Sequence, residues 1–150
     1  MKESLMRIAS KFIRQKYVYA GVPVIIRNSK GEILLGKRSR KVVSFPGVWG
    51  LPGGMPNYGE KLADAAKREI KEELGVDVEI IKVSRNFYED LPNKESRFHN
   101  VAIPHFARIV GGFLKPQDET SEIRWFKPSE IRGMKLAYTH KEILKGEGLI

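Results

Sequence analysis

The stretch from Gly54 to Val76 constrains this chain more than any other. Leu62, Ala66, Ile70 and Leu74 recur every fourth residue, the spacing of an apolar stripe on one helical face. The segment is rich in Ala, Leu, Lys and Glu and stops at Gly75, a usual helix terminator, so a helix is predicted over Lys61–Leu74. Glu69, Glu72 and Glu73 lie three and four residues apart and therefore cluster on one side. At about 100° per residue, Glu69 and Glu73 project beside the apolar stripe rather than to the far solvent face. Anions crowded there repel one another and shift their pKa values. A divalent cation among them relieves that repulsion, and carboxylate oxygens suit Mg²⁺ or Mn²⁺. Gly53-Gly54 can turn tightly and bring a backbone carbonyl close to such an ion. Arg68 stands four residues before Glu72 and can orient it, and Glu60 is expected to open the helix, where the dipole favours a carboxylate.

The surrounding chain reads as one domain over 1–150, long enough for a real core. A helix is predicted over 1–16, with Leu5, Ile8, Phe12 and Ile13 on one face. Tyr17–Arg27 and Glu32–Lys37 read as strands joined at Asn28-Ser29-Lys30-Gly31, so they are expected to form a hairpin. Arg38–Val48 is a basic loop. Val76–Tyr88 reads as a bent strand, and Phe98–Val110 as a strand interrupted by Pro104. A short strand over Ile123–Phe126, a helical turn over Pro128–Ile131 and a last helix over Thr139–Lys145 with Thr139 as N-cap complete the reading.

Composition narrows the chemistry. The chain has no Cys, which excludes disulfide frameworks, thiol nucleophiles and cysteine zinc sites and fits a cytoplasmic protein. It contains no apolar run long enough to span a bilayer, so no membrane partner is expected. Lys and Arg total 27 against 18 Asp and Glu, a net charge of +9 that favours anionic partners such as nucleotides or RNA.

The spacing Gly54, Glu60, Arg68-Glu69-Ile70, Glu72-Glu73, Gly75-Val76 resembles the Nudix box at every fixed position. Gly50-Leu51-Pro52-Gly53-Gly54 before it and Glu122-Ile123-Arg124-Trp125-Phe126 after it also look like that family, so the resemblance covers about Gly21–Ile131. It implies an α/β (α+β) fold, an α/β/α sandwich around a curved mixed sheet. By the same likeness, Glu69 and Glu73 are metal ligands, Glu72 is a third ligand or the group that deprotonates water, and the Gly54 carbonyl joins the metal. Arg68 and Glu60 hold the carboxylates in place. The implied reaction is Mg²⁺- or Mn²⁺-dependent attack of water on a phosphorus of a nucleoside diphosphate derivative. A MutT-type nucleoside triphosphate substrate is expected first, with ADP-ribose or a nucleotide sugar as the alternative. RNA 5′-end processing and a non-catalytic nucleotide-binding module are the readings from other classes.

Further candidates lie outside the box. Arg38 and Lys37, with Arg40 and Lys41, are expected to meet substrate phosphates. An additional acid is expected from Asp118, Glu119 or Glu122. Phe45 and Trp49 are weighed as stacking platforms against ordinary packing. His99 and His105 are read as structural histidines, and a homodimer is compatible with the chain without being read from it.

Overall fold

The computed structural model describes Ser4, Leu5 and residues 16–150. The helix expected over 1–16 falls, but for Ser4, Leu5 and Lys16, outside the described residues. The strands are β1 (Val18–Ile26), β2 (Ile33–Arg38), β3 (Trp49–Gly50), β4 (Gly53–Gly54), β5 (Val76–Val83), β6 (Tyr88–Asp90), β7 (His99–Ala102), β8 (His105–Gly112) and β9 (Thr120–Phe126). The helices are α1 (Leu62–Leu74), α2 (Pro128–Arg132) and α3 (His140–Gly146).

The longer sheet runs β5-β8-β1-β7-β6, with β4 also paired to β1; the shorter runs β3-β2-β9. β7 and β8 both lie parallel to β1 and keep one register against it, Val18 opposite His99 and Val24 opposite His105. Ile103-Pro104 thus interrupts a single parallel run, as the Pro within Phe98–Val110 suggests. β5 and β6 pair antiparallel with β8 and β7, so the sheet is mixed.

Side chains alternate across a strand, and here both faces are buried. Val22, Val24, Ile26 and Leu34 pack with Ala65, Ala66, Ile70 and Leu74 of α1. Ile25, Ile33 and Leu35 pack on the opposite side with Ile131, Ile143 and Leu144 of α2 and α3. Two cores separated by sheet make the three-layer sandwich, and explain why β1 reads as a nearly continuous apolar run.

α1 ends at Gly75, whose N–H completes the last helical bond, to the Lys71 carbonyl at 3.1 Å, and whose φ of 73° turns the following chain out of the helix. Two local expectations are corrected. β1 and β2 do not form a laddered hairpin. The turn at Asn28 exists, with the Asn28 side chain accepting from the N–H groups of Lys30 and Glu32, but only one bridge, Arg27 to Ile33, joins the strands. β2 then departs to pair with β9 and β3. Glu60 does not open α1 either: the N-cap is Lys61, and Asp64 is the acid of the first turn. Thr139 occupies the N-cap position of α3 as expected, without a side-chain capping hydrogen bond. No helix among the described residues is long and apolar enough to cross a membrane.

Candidate active site

One end of α1 and the β3–β4 loop face a cavity of about 360 Å³. The loop reaches it because β4 pairs with β1, Val22 opposite Gly54 and Pro23 opposite Gly53. Gly53 takes φ of 139°, and a Cβ there would collide with the Val22 carbonyl oxygen. A Cβ on Gly54 would collide with the Glu69 carboxyl carbon. The glycine pair is therefore what lets the backbone and the Glu69 carboxylate approach each other.

Glu69, Glu72 and Glu73 all line the cavity with Gly54. Arg68 ties the acids together. Its Nε donates to Glu60 Oε1 at 2.8 Å and its Nη2 to Glu60 Oε2 at 2.9 Å, a bidentate pair. Its Nη1 donates to Glu69 at 2.8 Å and to Glu72 at 3.2 Å, and Nη2 also reaches the Met55 carbonyl at 3.0 Å. The hydrogen bond to Glu60 raises the Arg68 pKa above its ordinary value, so the guanidinium stays charged. Glu60 in turn accepts from the Asn57 N–H at 2.8 Å, which fixes the loop before α1.

Glu73 accepts from the Gly53 N–H at 3.1 Å. Burial pushes its carboxyl up to about 8; that hydrogen bond and the Arg38 charge oppose the rise, and the Glu69 and Glu119 charges add to it. Glu119 and Asp118 also line the cavity. Asp118 holds a positive φ of 54°. Arg38 also lines the cavity; its Nε donates to the Ser44 carbonyl at 2.8 Å, and its Nη2 is buried with no hydrogen-bond partner among the described residues.

Other expected residues lie elsewhere. Lys37 and Glu122 pair with each other at 3.6 Å, and neither lines the cavity. Arg40 and Lys41 are exposed outside it. Trp49 packs edge-on against Phe126 at 4.9 Å, and Phe45 is buried against Tyr138 at 4.8 Å. His105 is buried, with Nδ1 2.8 Å from the Ile103 carbonyl, and His99 does not reach the cavity.

The cavity also gathers Asp90, Asn100, Tyr138 and His140, which sequence reasoning did not single out. His140 Nδ1 accepts from the Leu51 N–H at 2.9 Å and so steadies the loop that carries Gly53. Burial pulls its pKa down to about 3, assisted by the Arg38 charge, so the ring is neutral. Arg38 lies 5.2 Å from the Tyr138 ring, a cation–π contact. An Ala137-Tyr138-Thr139-His140 stretch beyond the last strand offered no spacing signal that would place it here.

Among the described residues no three acidic or histidine side chains already stand close enough to chelate an ion. The donor chemistry nonetheless fits a hard cation. Three carboxylates share one cavity wall, and one of them is raised by burial and by its anionic neighbours.

A model of the NUDIX domain family matches residues 19–145. The chain belongs to the Nudix family. An ADP-ribose pyrophosphatase of Methanocaldococcus jannaschii is 32% identical to this Nudix chain, over 93% of the chain and 83% of the relative. The nucleoside triphosphatase NudI of Escherichia coli is 26% identical, over 84% and 94% respectively. A MutT protein from Methanosarcina mazei Go1 superposes with a TM-score of 0.74 at 28% identity, covering 89% of this chain and 97% of the other. The mixed sheet between helices is the Nudix fold, and this Nudix chain is a pyrophosphohydrolase.

Proposed function

We propose that this enzyme hydrolyses the diphosphate linkage of a nucleoside diphosphate joined to a sugar, with ADP-ribose as the leading substrate and Mg²⁺ as the ion. The observation that carries the reading is the cavity wall of Glu69, Glu72, Glu73 and Gly54, held by Arg68 beside the unpartnered Nη2 of Arg38. Support for the sugar-linked substrate comes from the archaeal relative, which aligns over nearly the whole chain. The MutT-type triphosphate reading, expected first from the sequence, keeps second place, favoured by the NudI and MutT likenesses.

Glu69, Glu73, Glu72 and the Gly54 carbonyl would hold the ion; when bound, it neutralises phosphate oxygens and lowers the pKa of water. The chain's own residues do the remaining work. Arg68 keeps Glu69 and Glu72 from drifting apart, and Glu60 keeps Arg68 in register. Arg38 offers its buried Nη2 to a phosphate oxygen. Water adds to one phosphorus, the P–O–P bond breaks, and the bridging oxygen leaves with the other phosphate. From ADP-ribose the products are AMP and ribose 5-phosphate. Glu119 lines the same cavity, close enough for its charge to act on Glu73. Lys37 and Glu122, paired outside the cavity, have no part in this scheme.

The test is product release from ADP-ribose, nucleotide sugars and nucleoside triphosphates with and without Mg²⁺, beside Glu73→Gln. The parent is expected to require the ion and to release AMP from ADP-ribose, and the variant to lose at least about 10²-fold in activity while staying folded. Equal rates for parent and variant would remove Glu73 from the machinery.

A further inference from the structure

The cavity has a second wall that the hydrolytic chemistry does not use. Asp90 ends β6 and Asn100 lies on β7, directly opposite it in the ladder. Both line the cavity, beside the buried Phe98. Asp90 is only 6% exposed, and its Oδ2 finds no hydrogen-bond partner among the described residues. Burial, with the Glu142 charge, pushes the Asp90 carboxyl above its ordinary value, while a hydrogen bond from Asn100 and the His99 charge oppose that rise. A buried acceptor left unmet is unfavourable unless a donor reaches it, and Asp90 is among the residues that line the cavity. Rotation about Cβ–Cγ is soft in Asp and can present either oxygen there.

The spacing suits one end of a nucleotide. Asn100 pairs opposite Tyr19 and Gly54 opposite Val22, three residues apart along β1. At about 3.3 Å per residue the two walls are offset by roughly 10 Å, the scale that separates a diphosphate phosphorus from the edge of its base. We propose that Asp90 and Asn100 form a base-reading subsite, in which the Asp90 carboxylate accepts from the exocyclic amino group of adenine while the Asn100 amide holds the carboxylate in place. Asp90 is then a specificity residue and Asn100 a positioning residue. The inference rests on the nucleotide-hydrolase reading above, but on a different wall of the cavity.

Binding is measured calorimetrically, without turnover, using AMP, IMP and ribose 5-phosphate with the parent, Asp90→Asn and Asn100→Ser. The parent should bind AMP about tenfold more tightly than IMP, which carries a carbonyl oxygen where adenine has its amino group. Asp90→Asn should erase that preference and leave ribose 5-phosphate binding unchanged. Asn100→Ser should weaken AMP binding in the same direction, and it serves alone if Asp90→Asn does not fold. Equal binding of AMP and IMP by the parent overturns the proposal. So does a variant that shifts AMP and ribose 5-phosphate alike, because that marks a structural or ribose-binding role. Loss of ion-dependent hydrolysis with the base preference intact would instead sink the hydrolase reading and leave the subsite standing.

Discussion

Gly54 shows how much one missing methyl group carries. The position a Cβ would take is filled by the Glu69 carboxyl, the end of a side chain that can swing away. Gly54→Ala should therefore cost little stability and much activity. We expect a melting temperature within a few degrees of the parent and a loss of roughly 10²-fold in kcat/KM, read by calorimetry and product release. Arg68 makes a complementary case. Lys has one charged nitrogen and no fork, so it cannot hold Glu60, Glu69 and Glu72 together. Arg68→Lys should reduce ion affinity and activity by about 10–100-fold, measured by titrating the ion against turnover. This cluster was legible beforehand because Gly54, Glu60, Arg68, Glu69, Glu72 and Glu73 sit at short, fixed separations on one loop and one helix. Asp90, Asn100, Tyr138 and His140 were not legible. They reach the cavity through β6–β7 pairing and through the turn before α3, and neither leaves a periodic trace in the chain.

At the scale of elements, α1 is the part the sequence states most plainly. Its stripe meets β1 as expected, and Ala66, Ile70 and Leu74 are fully buried. Ile70→Ala should destabilise by about 2–5 kcal/mol, read from denaturant midpoints. The hairpin failed as a reading because a turn sets only where strands separate, not which neighbours they take. β2 satisfies its backbone along β9 and β3, so the Asn28 turn closes on a single bridge. α3 matters through His140, which caps the Leu51 N–H. Its folded pKa is depressed to about 3 from an ordinary 6.5. Stability from the neutral ring is present above pH 6.5 and lost as pH falls towards 3, with a limiting slope of about 1.4 kcal/mol per pH unit. His140→Asn keeps an acceptor near the Nδ1 position and should remove that contribution, so the stability of the parent relative to the variant should fall as pH drops from 7 to 4 in denaturant titrations.

For the whole molecule, Glu73 bends the pH response the other way. Its folded pKa is raised from 4.5 to about 8 in the absence of an ion. Its contribution to stability is full below pH 4.5 and declines as pH rises through 8. The ion-free protein should thus be most stable in mildly acidic buffer. Adding Mg²⁺ should restore stability at pH 8 and above, because the cation takes the place of the proton. Thermal melts with Mg²⁺ or a chelator at pH 6 and pH 8.5 check this; a stabilisation no larger at the higher pH would contradict it.

β1 is the spine between the two walls: Gly53-Gly54 hang from its middle, and β7 runs alongside its first residues. On the proposed reading, bond-breaking equipment and base-facing equipment are separate attachments to a common rail. Exchanging residues on β6 and β7 can redirect such an enzyme to another nucleotide without disturbing the acids on α1. A lineage built on this frame can diversify its diet while its scissors stay unchanged.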